Sequence, residues 1–152
     1  MLFRSLGNRI LKLLPEDGCA GILGLSYKPD TDVVDESQGL LLARYLLDQG
    51  CSVVVYDPVA MDNARKRLDG RVTYAASMQD CAAQAHVLAV TTAWDEFKGL
   101  RPEHLNRSAA RVVVVDCWRM LARAEFEAVA DVVTLGHGPE PAQVAEVAGI
   151  GV

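Results

Sequence analysis

The stretch GLSYKPDTDVVDES (residues 24–37) follows a short apolar run, Ala20–Leu25, and precedes a leucine-rich segment with helical spacing. In α/β units a strand and the next helix are joined by roughly two to six residues. This connection is longer, and it carries Lys28, Pro29 and the acidic residues Asp30, Asp32, Asp35 and Glu36. So long and charged a loop needs a reason, and the chain on either side supplies the frame for one.

Apolar runs alternate with helical patterns along the whole chain. Cys19–Leu25, Cys51–Pro58, Arg71–Ala75, His86–Thr92, Arg111–Trp118 and Asp131–Gly136 read as strands, with 71–75 a short edge strand. A helix follows the long loop, with Ser37 as its N-cap and Gly50 at its end. Shorter helices are expected over 59–70, 77–85 (capped by Ser77) and 122–130, helical turns over 94–108 broken before Pro102, and one helix over 141–148. The strand runs are continuous rather than alternating, so both sheet faces are covered. Strands alternating with helices imply right-handed crossovers and parallel pairing. The expected fold is therefore α/β: a three-layer, doubly wound, mostly parallel Rossmann-like sheet of about six strands. Residues 1–18 read as a terminal helix or linker, 19–138 as the domain and 139–152 as a tail.

The chain has 152 residues, 51% hydrophobic and 23% charged, with a net charge of -5. That length supports a core without disulfide or metal, and the charge argues against a nucleic-acid partner. Cys19, Cys51, Cys81 and Cys117 lack zinc-site spacing. They read as buried thiols of a cytoplasmic protein. The first residues, MLFRSLGNRILKLL, are amphipathic and basic. A packed helix with Phe3, Leu6, Ile10, Leu13 and Leu14 inward is expected, and the same composition fits a transit peptide. No apolar run is long enough to span a membrane. His86, His104 and His137 read as packing or surface residues.

In doubly wound sheets ligands lie beyond the carboxyl ends of the strands. The candidates are then the loop 26–37, Asp57–Pro58, Thr91–Trp94 and Asp116–Arg119. The first strand ends without G-x-G-x-x-G, so the dinucleotide fingerprint is absent. Asp57 reads as a turn residue before Pro58. A phospho-acceptor receiver domain lacks its Asp after the third strand and its Lys after the fifth. On residues alone, the loop is a solvated, self-paired connection with Lys28 as its cation.

The motifs add more. Gly24-Leu-Ser-Tyr-Lys-Pro-Asp-Thr-Asp32, Glu36-Ser37, Tyr56-Asp-Pro58, Pro58–Ala64, Thr91-Thr-Ala-Trp-Asp-Glu-Phe97 and Val112–Asp116 occur in order over roughly residues 8–138. They resemble the C-terminal, UDP-binding domain of the UDP-glucose/GDP-mannose dehydrogenases. The resemblance implies an NAD-dependent enzyme that oxidises the 6-hydroxyl of a nucleotide sugar twice, to the uronic acid, for polysaccharide biosynthesis. It places the NAD domain and the catalytic cysteine outside this stretch. The chain alone is then expected to be inactive, to bind no NAD and to contribute no catalytic residue. Its partners would be a nucleotide sugar of the UDP-glucose or GDP-mannose type and a catalytic chain. The resemblance sets Tyr27 and Lys28 against that sugar, with Glu36 and Ser37 as helix-entry residues. Asp35 stands where the family has an arginine facing NAD. Asp116-Cys-Trp-Arg119 replaces the family's D-G-R, so Trp118 takes the place of a sugar-contacting arginine with Arg119 one residue on. Val33 replaces an acidic residue. These departures equally fit a non-catalytic descendant that acts as a ligand-binding or protein-interaction module. As a piece of another domain's site, the loop would be mobile and acidic without that partner.

Overall fold

The apolar runs form strands at Cys19–Leu23 (β1), Ser52–Tyr56 (β2), Thr73–Tyr74 (β3), Val87–Val90 (β4), Val112–Asp116 (β5) and Ala130–Thr134 (β6). The computed structural model describes residues 2–68 and 70–135. The expected helix over 141–148, the tail from 139, His137 and the last residue of the sixth strand run lie outside the described residues. Helices occupy Leu2–Leu13 (α1), Gln38–Asp48 (α2), Met61–Arg67 (α3), Met78–Gln84 (α4) and Arg123–Glu127 (α5). Two 3-10 turns at Asp95–Gly99 and Pro102–His104 flank the break expected before Pro102.

The strands form one sheet in the order β3-β2-β1-β4-β5-β6. Every pairing is parallel, with Ala20 opposite both Val53 and Val87, and Val113 opposite both Val87 and Asp131. The chain starts in the middle, winds outward through β2 and β3, then returns to β4 and winds the other way. The order therefore reverses between β1 and β4.

Hydrophobic burial covers both faces. Ile22, Val53, Val55, Ala89, Val113 and Val115 pack with Leu6 and Ile10 of α1 and Leu42 and Leu46 of α2. Val54, Leu88, Val90, Val112 and Val114 pack with Cys81, Ala82, Phe97 and Phe126 on the other side. Each Val, Leu, Ile or Phe among them contributes about 1.5–3 kcal/mol when fully buried. Gly21 admits α4: a Cβ there would lie 2.7 Å from the Ala85 Cβ.

Local signals set the helix ends. Ser37 Oγ accepts from the Leu40 amide at 3.0 Å, and Gly50 takes φ 86 just past α2. Ser77 Oγ accepts from Asp80 N–H at 3.0 Å. The helix expected over 59–70 begins only at Met61, because the Val59 and Ala60 amides are bonded to Asp57 Oδ1. The helix expected over 122–130 is confined to Arg123–Glu127, because Ala130 already pairs with Val112.

The closest approach lies at the reversal. A Cβ on Gly39 would sit 1.9 Å from the Gly24 carbonyl oxygen and 2.9 Å from Thr91 Oγ1. Backbone cannot yield as a flexible side chain does, so Gly39→Ala should destabilise the domain by about 2–3 kcal/mol, read as a lower Tm. An unchanged Tm would mean that α2 can back away from β1.

Candidate functional site

A buried carboxylate gathers the loops at the carboxyl edge of the sheet. Asp57, directly after β2, is 1% exposed. Its Oδ2 accepts from the amides of Leu25 (2.8 Å) and Ser26 (2.9 Å), the Ser26 hydroxyl (2.8 Å) and the Trp94 indole N–H (3.2 Å). Its Oδ1 accepts from the amides of Val59 (3.0 Å) and Ala60 (2.9 Å). The second set makes Asp57 the turn residue that the sequence suggests. The first set is a role the sequence reading missed: Asp57 fixes the chain immediately before Tyr27. The only trace of it in the sequence is a Ser two residues past Gly24 and a Trp after β4.

The long loop is held at several points. Tyr27 N–H donates to Val33 O at 2.6 Å, closing a turn in which Asp30 has φ 65. Val34 is buried in the core. Ser37 Oγ, besides capping α2, donates to Leu25 O at 2.7 Å. Asn63 Nδ2 donates to Asp32 O at 2.8 Å, and the Arg67 guanidinium pairs with the Asp35 carboxylate. The loop is thus paired within itself through Tyr27 N–H and Val33 O and tied to α3 through the Asp32 carbonyl and the Asp35 carboxylate. Tyr27 remains 61% exposed, and Lys28 is exposed beside it.

Between β1 and β4 the crevice is filled by the chain itself. Gly24 has φ 113, and a Cβ there would lie 2.5 Å from Thr92 Oγ1. Thr91 Oγ1 donates to Gly24 O at 2.7 Å, and Thr92 Oγ1 donates to Ser26 O at 3.1 Å. The Leu40 amide at the start of α2 is taken by Ser37. An anion cradle needs open backbone amides at such a helix start, and here the packing closes the position.

A second buried carboxylate shapes the turn after β5. Asp116 Oδ1 accepts from the amides of Trp118 (3.3 Å) and Met120 (3.2 Å), and Oδ2 from Leu121 N–H (2.9 Å). Arg119 takes φ 54 within this turn. The Trp118 indole N–H donates to Thr91 O at 3.1 Å, yet the side chain is 53% exposed. The structure therefore brings Tyr27, Lys28, Trp118 and Arg119 to one edge, linked through the β4 turn. Asp35 stands apart, beside Asn63, Lys66 and Arg67. Two depressions of about 430 and 490 Å³ lie at the opposite edge, around Arg111, Val113 and Ala130 and around Pro102–Val112, and hold none of the candidate residues.

The four cysteines are free thiols. Burial pushes all of them up: Cys19 and Cys51 above the usual range, Cys81 far above it, and Cys117 to about 12 with a further push from Asp116. No thiolate nucleophile is poised near neutral pH. His86 Nδ1 accepts from Cys19 N–H at 3.0 Å and His104 Nδ1 from Arg101 N–H at 2.9 Å, which are packing roles. Tyr56 donates to Glu96 at 2.8 Å; burial first, and then Glu96 and Asp57, push its phenol to about 12. Among the described residues no group of His, Cys, Asp and Glu gathers to hold a metal, and no helix is long and apolar enough to cross a membrane.

Residues 21–123 match the UDP-glucose/GDP-mannose dehydrogenase family, UDP binding domain. The chain belongs to this family. The UDP-glucose 6-dehydrogenase AglM of Haloferax volcanii is 41% identical over 122 residues, covering 77% of this chain and 28% of that protein. The UDP-glucose 6-dehydrogenase of Rhizobium meliloti is 32% identical over 116 residues, covering 74% of this chain and 26% of that protein. A UDP-glucose dehydrogenase structure from Pyrobaculum islandicum superposes with a TM-score of 0.65 at 32% identity, covering 88% of this chain and 29% of that one. The chain thus spans between a quarter and a third of the length of these dehydrogenases.

The two roles on this edge separate by mutation. Lys28→Ala removes an exposed side chain and should leave stability within about 0.5 kcal/mol of the parent. Asp57→Ala orphans buried amides and should cost about 3 kcal/mol. Urea titration of both variants checks this, and a large loss in Lys28→Ala would make Lys28 structural. The raised thiols set a pH window. Below the ordinary thiol pKa of 9.0 the stability they contribute is fully present, and it is lost as pH rises toward about 12, while the unfolded chain ionises first. Urea midpoints should fall above pH 9, and less steeply in Cys117→Ala. Identical slopes would show that Cys117 ionises as readily folded as unfolded.

Proposed function

We propose that this domain forms the nucleotide-sugar-facing wall of an NAD-dependent UDP-glucose or GDP-mannose 6-dehydrogenase. Tyr27, Lys28 and Arg119 would meet the sugar nucleotide across an interface with NAD-binding and catalytic domains, in the same or a separate chain. One observation carries the reading. A loop pinned by Asp57, Ser37, Asn63 and Arg67 leaves Tyr27 and Lys28 exposed at its tip. An ammonium offers a compact charge and three donors to phosphate or hydroxyl oxygens, and a tyrosine edge offers packing. The family relationship supplies the substrate class, and it fits a cytoplasmic role in polysaccharide precursor synthesis.

The domain's share of such chemistry is binding and closure. Its thiols are held protonated, so the nucleophile and the acid–base groups belong to other domains. Asp35, at the position where the family's arginine faces NAD, does not fit an NAD contact. Its carboxylate repels a pyrophosphate, and it is already engaged by Arg67. No hydride-transfer step is assigned to this chain.

A second reading draws on the same pair. An anion locked by Arg67 in place of a cofactor-facing cation also suits a non-catalytic descendant that binds a ligand or a protein partner. Titration with UDP, UDP-glucose, GDP-mannose and NAD in low salt, followed by NMR, separates the two. The dehydrogenase reading expects saturable binding of one nucleotide sugar, weakened about tenfold, or about 1.4 kcal/mol, in Lys28→Ala. Failure to bind any of them at millimolar concentration, even with a family protein truncated to its first two domains, would favour the descendant.

A further inference from the structure

The loop after β1 is gripped from two sides. Asp57 binds it from the β2 side. From the β4 side, Thr92 Oγ1 donates to Ser26 O at 3.1 Å, and the Trp94 indole N–H donates to Ser26 Oγ at 2.9 Å and to Asp57 Oδ2 at 3.2 Å. Ser26 is 2% exposed, and its amide and hydroxyl both donate to Asp57. Trp94 is partly buried, and its own turn is anchored independently. Phe97 N–H donates to Trp94 O at 3.0 Å, and Glu96 accepts from the Tyr56 hydroxyl.

A hydroxyl has one proton to give and lone pairs to accept with, whereas an indole N–H only donates. Ser26 gives its proton to Asp57, so its oxygen is left to accept, and Trp94 takes that place. With both directions committed, the Ser26 side chain cannot rotate without losing a hydrogen bond. The next residue is Tyr27, whose N–H closes the turn onto Val33 O. The backbone around Ser26 is already satisfied without the indole: the Leu25 and Ser26 amides end on Asp57, and the Ser26 carbonyl accepts from Thr92. The indole bond therefore adds nothing to strand pairing. It acts at the root of the exposed tip, from a residue 68 positions away in sequence.

We propose that Trp94 is a positioning residue: through the Ser26 hydroxyl it holds the turn from Tyr27 to Val33 in the arrangement that presents Tyr27 and Lys28 to a ligand. The inference rests on the nucleotide-sugar reading given under Proposed function for the identity of that ligand. It adds a group that touches no ligand and sets where the tip stands.

The test uses the whole chain. Trp94→Phe keeps an aromatic ring and removes the donor, and Ser26→Ala removes the acceptor. In each variant the Tyr27 amide should exchange with deuterium about tenfold faster, as expected for loss of one buried hydrogen bond, while the amides within β1 keep their rates. The two changes break the same bond, so the double variant should exchange no faster than Ser26→Ala alone. The Kd for UDP-glucose should rise about tenfold in Trp94→Phe, and by less when Lys28→Ala is already present. An unchanged Tyr27 rate would overturn the positioning role. Equal acceleration across β1 and Tyr27, with a lower Tm, would make Trp94 structural and overturn it too. Binding that Lys28→Ala weakens but Trp94→Phe leaves unchanged would overturn it and keep the nucleotide-sugar reading. Faster Tyr27 exchange in a chain that binds no nucleotide sugar, with or without the partner domains, would keep the hold of Trp94 on the turn and overturn the nucleotide-sugar reading.

Discussion

Asp57 organises the functional edge because one carboxylate offers two oxygens to loops that are distant in sequence. Oδ1 serves its own turn, and Oδ2 reaches the loop after β1 and the turn after β4. Neutral donors surround it, so its charge is spread over amides, a hydroxyl and an indole, which compensates the cost of burial. Asp116 repeats the device on a smaller scale after β5. Both sit where a strand ends, the position at which backbone amides lose their ladder partners and an acceptor is most useful. The edge is therefore built on acceptors buried beneath it, with the exposed cations and aromatics above.

The fold was legible because strand burial and helix capping are local signals. Continuous Val and Leu runs at 52–56, 87–90 and 112–116 became strands buried on both faces, and Ser37 and Ser77 capped the helices they precede. The site was legible in part. Resemblance pointed to Tyr27, Lys28, Trp118 and Arg119, and the loops that bear them follow β1 and β5 at the carboxyl ends of the strands. What escaped were the contacts that hold them. Arg67 lies 32 positions from Asp35, and Asn63 lies 31 from Asp32. No spacing rule relates residues on a loop and on a helix that follows the next strand. The charged residues of the loop are exposed, and two ties to α3, through Asp32 O and Asp35, were not legible in the sequence.

The crevice between β1 and β4 is closed by the chain's own packing. The same topology leaves an open helix start when glycines line the turn. Here Gly24 and Gly39 are spent on close packing, and Ser37 occupies the amide. Small residues at a switch point thus serve either a ligand or the chain, and the neighbouring side chains decide which.

The strapping of the loop also bears on how quickly and how completely this edge responds to an encounter. Ordering a residue's backbone costs roughly 1–2 kcal/mol, and along 24–37 most of that ordering accompanies folding rather than binding. If Tyr27 and Lys28 meet a ligand as proposed, mainly their side-chain rotamers are left to restrict, at about 0.5–1.5 kcal/mol each. Recognition at this edge would then be closer to docking on a preformed surface than to coupled folding. Its affinity should respond to the chemistry of a few tips more than to the length or composition of the loop that bears them.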